Sequence, residues 1–60
     1  MKVRVYLKSG PISDIEGVTN IEYIDWYDEH EVWIYYGKDY VMKYKEKDIE
    51  EIKIRRWIRW

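Results

Sequence analysis

Glu31-Val32-Trp33-Ile34-Tyr35-Tyr36-Gly37-Lys38-Asp39-Tyr40-Val41-Met42-Lys43-Tyr44-Lys45 is the stretch that decides the fold. Its apolar positions on either side of Gly37 recur every second residue, the period of a strand and not of a helix. Gly37-Lys38-Asp39 breaks the pattern with turn-forming residues. Pairing Tyr36 with Tyr40 across that turn sets Ile34 opposite Met42 and Val32 opposite Tyr44 on one face. It also sets Glu31 opposite Lys45 on the other face, an attractive cross-strand pair. A two-residue Gly37-Lys38 turn has better local chemistry, but it would oppose Val32 to Lys43. The face argument selects the three-residue loop.

The same arithmetic extends upstream. Strands over 21–27 and 31–36 flank Asp28-Glu29-His30. Pairing Tyr27 with Glu31 sets Trp26 opposite Val32 and Ile24 opposite Ile34, whereas a one-residue slip opposes Asp25 to Ile34 and mixes the faces. Near the start, Lys2-Val3-Arg4-Val5-Tyr6-Leu7-Lys8 alternates cleanly until Ser9-Gly10-Pro11 interrupts it. Ile12, Ile15 and Val18 recur every third residue, which fits an irregular loop, a helical turn or a bulged strand, with Gly17 favouring a turn or bulge. After Lys45, Asp48 and Glu51 are spaced as a capping box, which predicts a short helical turn at 49–51. A last strand is expected over 51–57, with Ile52, Ile54, Ile58 and Trp60 sharing a face. The expected inward set is Val3, Val5, Leu7, Ile24, Trp26, Val32, Ile34, Met42 and Ile52, with Trp33 and Tyr35 on the opposite face.

Four or five short strands with one helical turn before the last describe an all-β domain spanning 1–60, either a small barrel or a strongly curved antiparallel sheet. Tyr40–Ile54, and in particular Asp48-Ile49-Glu50-Glu51-Ile52-Lys53-Ile54 after a hairpin, resembles an SH3-like barrel. Small proteins of this look are similar to those of phages and mobile elements of A/T-rich bacteria. That resemblance implies a host-directed protein, an inhibitor or adaptor with an anti-defence role. It assigns no residue a function.

Sixty residues lie near the lower limit for independent folding, where a core supplies roughly 3–5 kcal/mol of net stability. The absence of cysteine excludes disulfides and fits a reducing, cytoplasmic setting. Seven tyrosines and four tryptophans are therefore the main core-thickening resource. The apolar runs are far shorter than the ~20 residues of a membrane-spanning helix, so no membrane partner is expected.

Charge is sorted along the chain. Between Lys8 and Lys38 there is no lysine or arginine, yet Asp14, Glu16, Glu22, Asp25, Asp28, Glu29 and Glu31 occur there. Lys2, Arg4 and Lys8 lie at the start, and Lys53, Arg55, Arg56 and Arg59 at the finish. If the first and last strands pair, a basic surface of six or seven charges follows. Such a surface, with Arg4, Lys53, Arg55, Arg56, Trp57, Arg59 and Trp60, suits phosphate and base contact. A pI near 5.8 argues against that reading.

Catalysis is poorly provided for. His30 is the single histidine, it falls in an expected turn, and Ser9, Ser13 and Thr19 are the only hydroxyl nucleophiles besides tyrosine. No catalytic residue and no cofactor are assigned. Asp25, Asp28, Glu29, His30 and Glu31 have metal-ligand chemistry, but a solvated turn explains them more simply, so no metal is assigned. The outward aromatics point elsewhere: Tyr23, Tyr27, Trp33 and Tyr35 are expected on one exposed face. Exposed aromatic patches mark interfaces. A non-catalytic binding module is the favoured reading, with a host protein or a second copy as partner and a homodimer as remedy for the thin core. A nucleic-acid or nucleotide binder using the basic ends is the alternative.

Overall fold

The computed structural model describes residues 1–55 and is all-β. It contains β1 (Lys2–Leu7), β2 (Ile12–Ile15), β3 (Val18–Trp26), β4 (Glu29–Tyr36), β5 (Tyr40–Lys45) and β6 (Ile49–Arg55). A 3-10 turn at Glu46–Asp48 precedes β6. The strands form two antiparallel three-stranded sheets, ordered β2-β1-β6 and β3-β4-β5. The expectation of four or five strands is corrected to six. What reads as one irregular segment from Ile12 to Val18 is a strand, a corner and the start of the next strand, and the sheets do not close into a barrel.

That corner is built by Glu16 and Gly17, with Gly17 at φ +69°. It explains the three-residue spacing of the apolar residues. Ile15 and Val18 sit either side of the bend and both turn inward, at 7% and 5% exposure. Two backbone hydrogen bonds hold the bend: Val18 N–H donates to Met1 O (2.9 Å) and Gly37 N–H to Gly17 O (3.2 Å). The second ties the β2–β3 corner to the β4–β5 turn, so both sheets share one end of the core.

Val3, Val5, Ile15, Val18, Val32 and Ile34 form that core, with Leu7, Ile21, Tyr36, Tyr44, Ile49 and Ile52 packed around it. Val3, Val5, Val32 and Ile34 are fully withdrawn from water. Each such side chain contributes roughly 1.5–3 kcal/mol relative to an exposed one. The core is short, and Met42 at its edge keeps 38% of its surface exposed.

The β4–β5 register is the one the faces select: Tyr36 opposes Tyr40, Ile34 opposes Met42, Val32 opposes Tyr44 and Glu31 opposes Lys45. The β3–β4 register differs from expectation by three residues. Trp26 opposes Glu29, Tyr23 opposes Val32 and Ile21 opposes Ile34. Tyr27 and Asp28 make the turn, with Tyr27 at φ +39°, a backbone region that non-glycine residues seldom enter. An odd slip exchanges the faces of a strand. Ile24 and Trp26 therefore lie on the outer face, not in the core, and Trp26 is 50% exposed. Ile21, Ile15 and Val18 take up the core space instead.

β6 also departs from expectation. The 3-10 turn ends at Asp48, so Asp48 and Glu51 do not form a capping box, and Glu51 already pairs with Tyr6. The Ile49 N–H closes the turn on Glu46 O, and Lys8 N–H donates to Asp48 O (2.9 Å), fastening the turn to the end of β1. The strand begins two residues earlier than expected, at Ile49. Ile52 opposes Val5 and Ile54 opposes Val3, as the shared-face pattern requires. The parts of that pattern carried by Ile58 and Trp60 lie outside the described residues.

Candidate functional site

Cross-strand pairing sets the outer face of β3-β4-β5 row by row. Residues directly opposite each other in a ladder share a face, so Asn20, Tyr35 and Val41 form one row. Glu22, Trp33 and Lys43 form the next, and Ile24, Glu31 and Lys45 the third, with Trp26 beside Glu29 at the β3–β4 turn. Trp26, Ile24, Trp33, Tyr35 and Val41 thus give this face an apolar middle. Trp26 keeps 50% and Val41 36% of its surface exposed, while Ile24, Trp33 and Tyr35 are half-buried among their neighbours.

Of the aromatics expected here, Trp33 and Tyr35 share the face. Tyr23 does not: the three-residue shift puts it opposite Val32 on the other side, where on the edge strand β3 it remains 67% exposed. Tyr27 sits fully exposed in the turn and belongs to neither face. Trp26 and Ile24 take their places. Sequence reasoning misses both residues, because only an aromatic residue in a left-handed turn position reveals the register that exposes them.

Polar contacts organise the face. Tyr35 donates its hydroxyl to Glu22 Oε2 (3.2 Å), and Asn20 Nδ2 donates to Glu22 Oε1 (3.4 Å). Burial raises the Tyr35 hydroxyl pKa above its ordinary value, and the Glu22 charge raises it further. Lys43 Nζ lies 4.3 Å from the centroid of the Trp33 ring, a cation–π contact. The Trp33 Nε1 is shut off from water with no acceptor among the described residues. An unsatisfied buried donor of that kind costs about 1–3 kcal/mol.

The terminal strands pair as the charge argument anticipates, with Lys2 opposite Arg55 and Arg4 opposite Lys53. Among the described residues the basic charges of this surface do not stand alone, because β2 joins the same sheet and brings carboxylates to them. Arg4 donates from Nε and Nη2 to the two Asp14 carboxylate oxygens (2.7 and 3.1 Å), and Lys2 Nζ is 3.7 Å from Glu16. Asp14, together with Tyr6, raises the Arg4 guanidinium further above its ordinary value, and Arg4 holds Asp14 below the usual carboxylate range. Lys53 Nζ lies 5.6 Å from the Tyr6 ring centroid. Antiparallel pairing of β1 with β2 interleaves charges that are segregated along the chain. Arg56, Trp57, Arg59 and Trp60 lie outside the described residues.

The acidic hairpin end resolves into a pair. Asp25 opposes His30, and His30 Nδ1 donates to Asp25 Oδ1 (2.5 Å). Among the described residues no three histidine or acidic side chains gather as a metal-binding group. An open cleft of about 620 Å³ separates this hairpin from the 3-10 turn, where Lys8 and Lys47 face Glu29 and Glu46. Its charges are mixed and select no ligand of one sign. The hydrogen bond to Asp25 raises the His30 pKa above its ordinary value of 6.5, with Glu46 adding to it. A pKa raised by folding means that the protonated pair stabilises the fold. That contribution is complete below pH 6.5 and is lost as pH rises through the folded value. Proton NMR titration of His30 should show a midpoint above 6.5 that falls towards it in Asp25→Asn. An unchanged midpoint in that variant would exclude the pair.

No family model, no curated protein and no solved structure matches the chain.

Proposed function

We propose that this chain is a non-catalytic protein-binding module whose binding surface is the outer face of β3-β4-β5. One observation carries the reading. The β3–β4 register brings Trp26 and Ile24 onto the face that already holds Trp33 and Tyr35, and leaves Trp26 half exposed. Tryptophan and tyrosine dominate binding hot spots because each removes a large area from water while keeping a polar tip. An SH3-like arrangement is supported by the strand order of the two sheets and by the 3-10 turn before the last strand. The host-directed, anti-defence role rests on the resemblance to small proteins of phages and mobile elements.

Nucleic-acid binding is the second reading, favoured by Lys2, Arg4, Lys53 and Arg55 sharing one face of the terminal strands. Asp14 on that sheet and Glu16 at the corner beside it count against it. Affinity capture from the source host separates the two. Wild type should recover one protein in stoichiometric amount, and a Trp26→Ala/Trp33→Ala variant should lose it. Recovery that is indifferent to that variant, sensitive to nuclease and falling steeply with salt would replace the first reading by the second.

A further inference from the structure

The outer face of β3-β4-β5 carries opposite charge on its two flanks. Glu22 lies on the β3 flank, Lys43 and Lys45 on the β5 flank, and Trp33 stands between Glu22 and Lys43 in the same row. Two strand spacings, about 9.6 Å, separate Glu22 from Lys43 within one chain, and Trp33 fills the gap. Glu22 and Lys43 of one chain therefore do not pair with each other.

We propose that this face binds a second copy of the chain, face to face, about a twofold axis that runs along β4 through Trp33. The proposal rests on the reading of this face as the binding surface. Rotation about such an axis exchanges the two flanks, so β3 of one copy lies over β5 of the other. Glu22 then meets Lys43 of the second copy, and Lys43 meets its Glu22, because both sit at the level of Trp33. The interface is self-complementary, as a twofold contact must be. A twofold axis across the strands would set Glu22 on Glu22 and Lys43 on Lys43, so the charges select the first axis. The two Trp33 rings meet at the centre, with Tyr35, Ile24 and Trp26 around them, and the ion pairs form the rim. Glu31 lies near the axis beside its own Lys45. The two copies of Glu31 therefore come near each other, and the Lys45 opposite each in its own ladder offsets that charge.

Sedimentation equilibrium across micromolar concentrations tests the geometry. Wild type should approach twice the 7.6 kDa chain mass as concentration rises. Glu22 and Lys43 are exposed, so Glu22→Lys and Lys43→Glu should fold, as far-UV circular dichroism will check. Each should raise the dimer Kd by roughly tenfold or more, because like charges then meet twice. An equimolar mixture of the two variants should dimerise like wild type, since every facing pair is again opposite in sign. A monomeric wild type, single variants that dimerise normally, or a mixture that stays monomeric would each overturn the proposal. Loss of host-protein capture in Trp26→Ala/Trp33→Ala with a monomeric wild type would sink the dimer and leave the binding face standing. A dimer obeying the charge exchange, with no other protein captured, would support the dimer while removing the host partner.

Discussion

Ile34→Ala is expected to unfold most of the population at room temperature, whereas Trp33→Ala, one residue away, is expected to leave the fold largely intact. Ile34 is fully buried, faces Ile21 and Met42 across β4, and belongs to the core that joins the two sheets. Removing its methyl groups loses transfer free energy and leaves a cavity, together about 2–5 kcal/mol. A domain of this size has roughly 3–5 kcal/mol in total, so the loss is comparable to the whole. Trp33 points the other way and is only half-buried. Its truncation removes the contact with Lys43 and relieves an orphaned indole N–H, two effects of opposite sign. Urea denaturation of both variants decides the matter. A Trp33→Ala variant that unfolds while Ile34→Ala stays folded would mean that β4 is flipped.

Gly37→Val should be the most damaging substitution in any turn. Gly37 has φ +64°, where an L residue costs about 1–2 kcal/mol and a β-branched one more. A Cβ there would lie 3.1 Å from Cδ2 of Tyr40, whose ring stacks on Tyr36 at 5.5 Å between centroids. Gly17→Ala is the matched control. Its φ is +69° and its Cβ would approach nothing closer than 4.0 Å, so only the backbone penalty applies. Thermal unfolding should therefore rank wild type above Gly17→Ala, and Gly17→Ala above Gly37→Val. A Gly37→Val variant as stable as wild type would show that the β4–β5 turn is built differently.

The β4–β5 hairpin is legible in the sequence because both of its faces constrain the register: a slip would bring Lys43 against Val32. The pairing of the terminal strands is legible because Val3, Val5, Ile52 and Ile54 alternate in step. The β3–β4 hairpin misleads for a physical reason. Ile21, Tyr23, Ile24 and Trp26 supply apolar residues to both faces of β3, so hydrophobic pattern alone accepts either register. The observed one depends on Tyr27 taking a left-handed conformation, which carries no compositional signal. The candidate site inherits that ambiguity: Trp33 and Tyr35 can be placed on it from β4 and β5 alone, while Tyr23 must be exchanged for Trp26 once β3 turns over. The pairing of Arg4 with Asp14 is hidden in the segment around Gly17, since only a second strand there brings the two together.

The pairing of β1 with β6 divides the work of folding unequally between the sheets. β3, β4 and β5 follow one another in the chain, and short turns join them, so their ladders form from local encounters on the microsecond scale of hairpins. β1 opposes β6 between Lys2 and Arg55, which demands that nearly the whole described chain be gathered into one loop. The entropy of that closure grows as the logarithm of loop length, and contacts so distant in sequence slow folding. Closure of the terminal strands is therefore expected to limit the folding rate, while the proposed interaction face sits on the sheet that assembles from local contacts. Substitutions on that outer face are correspondingly expected to leave the slow step unchanged.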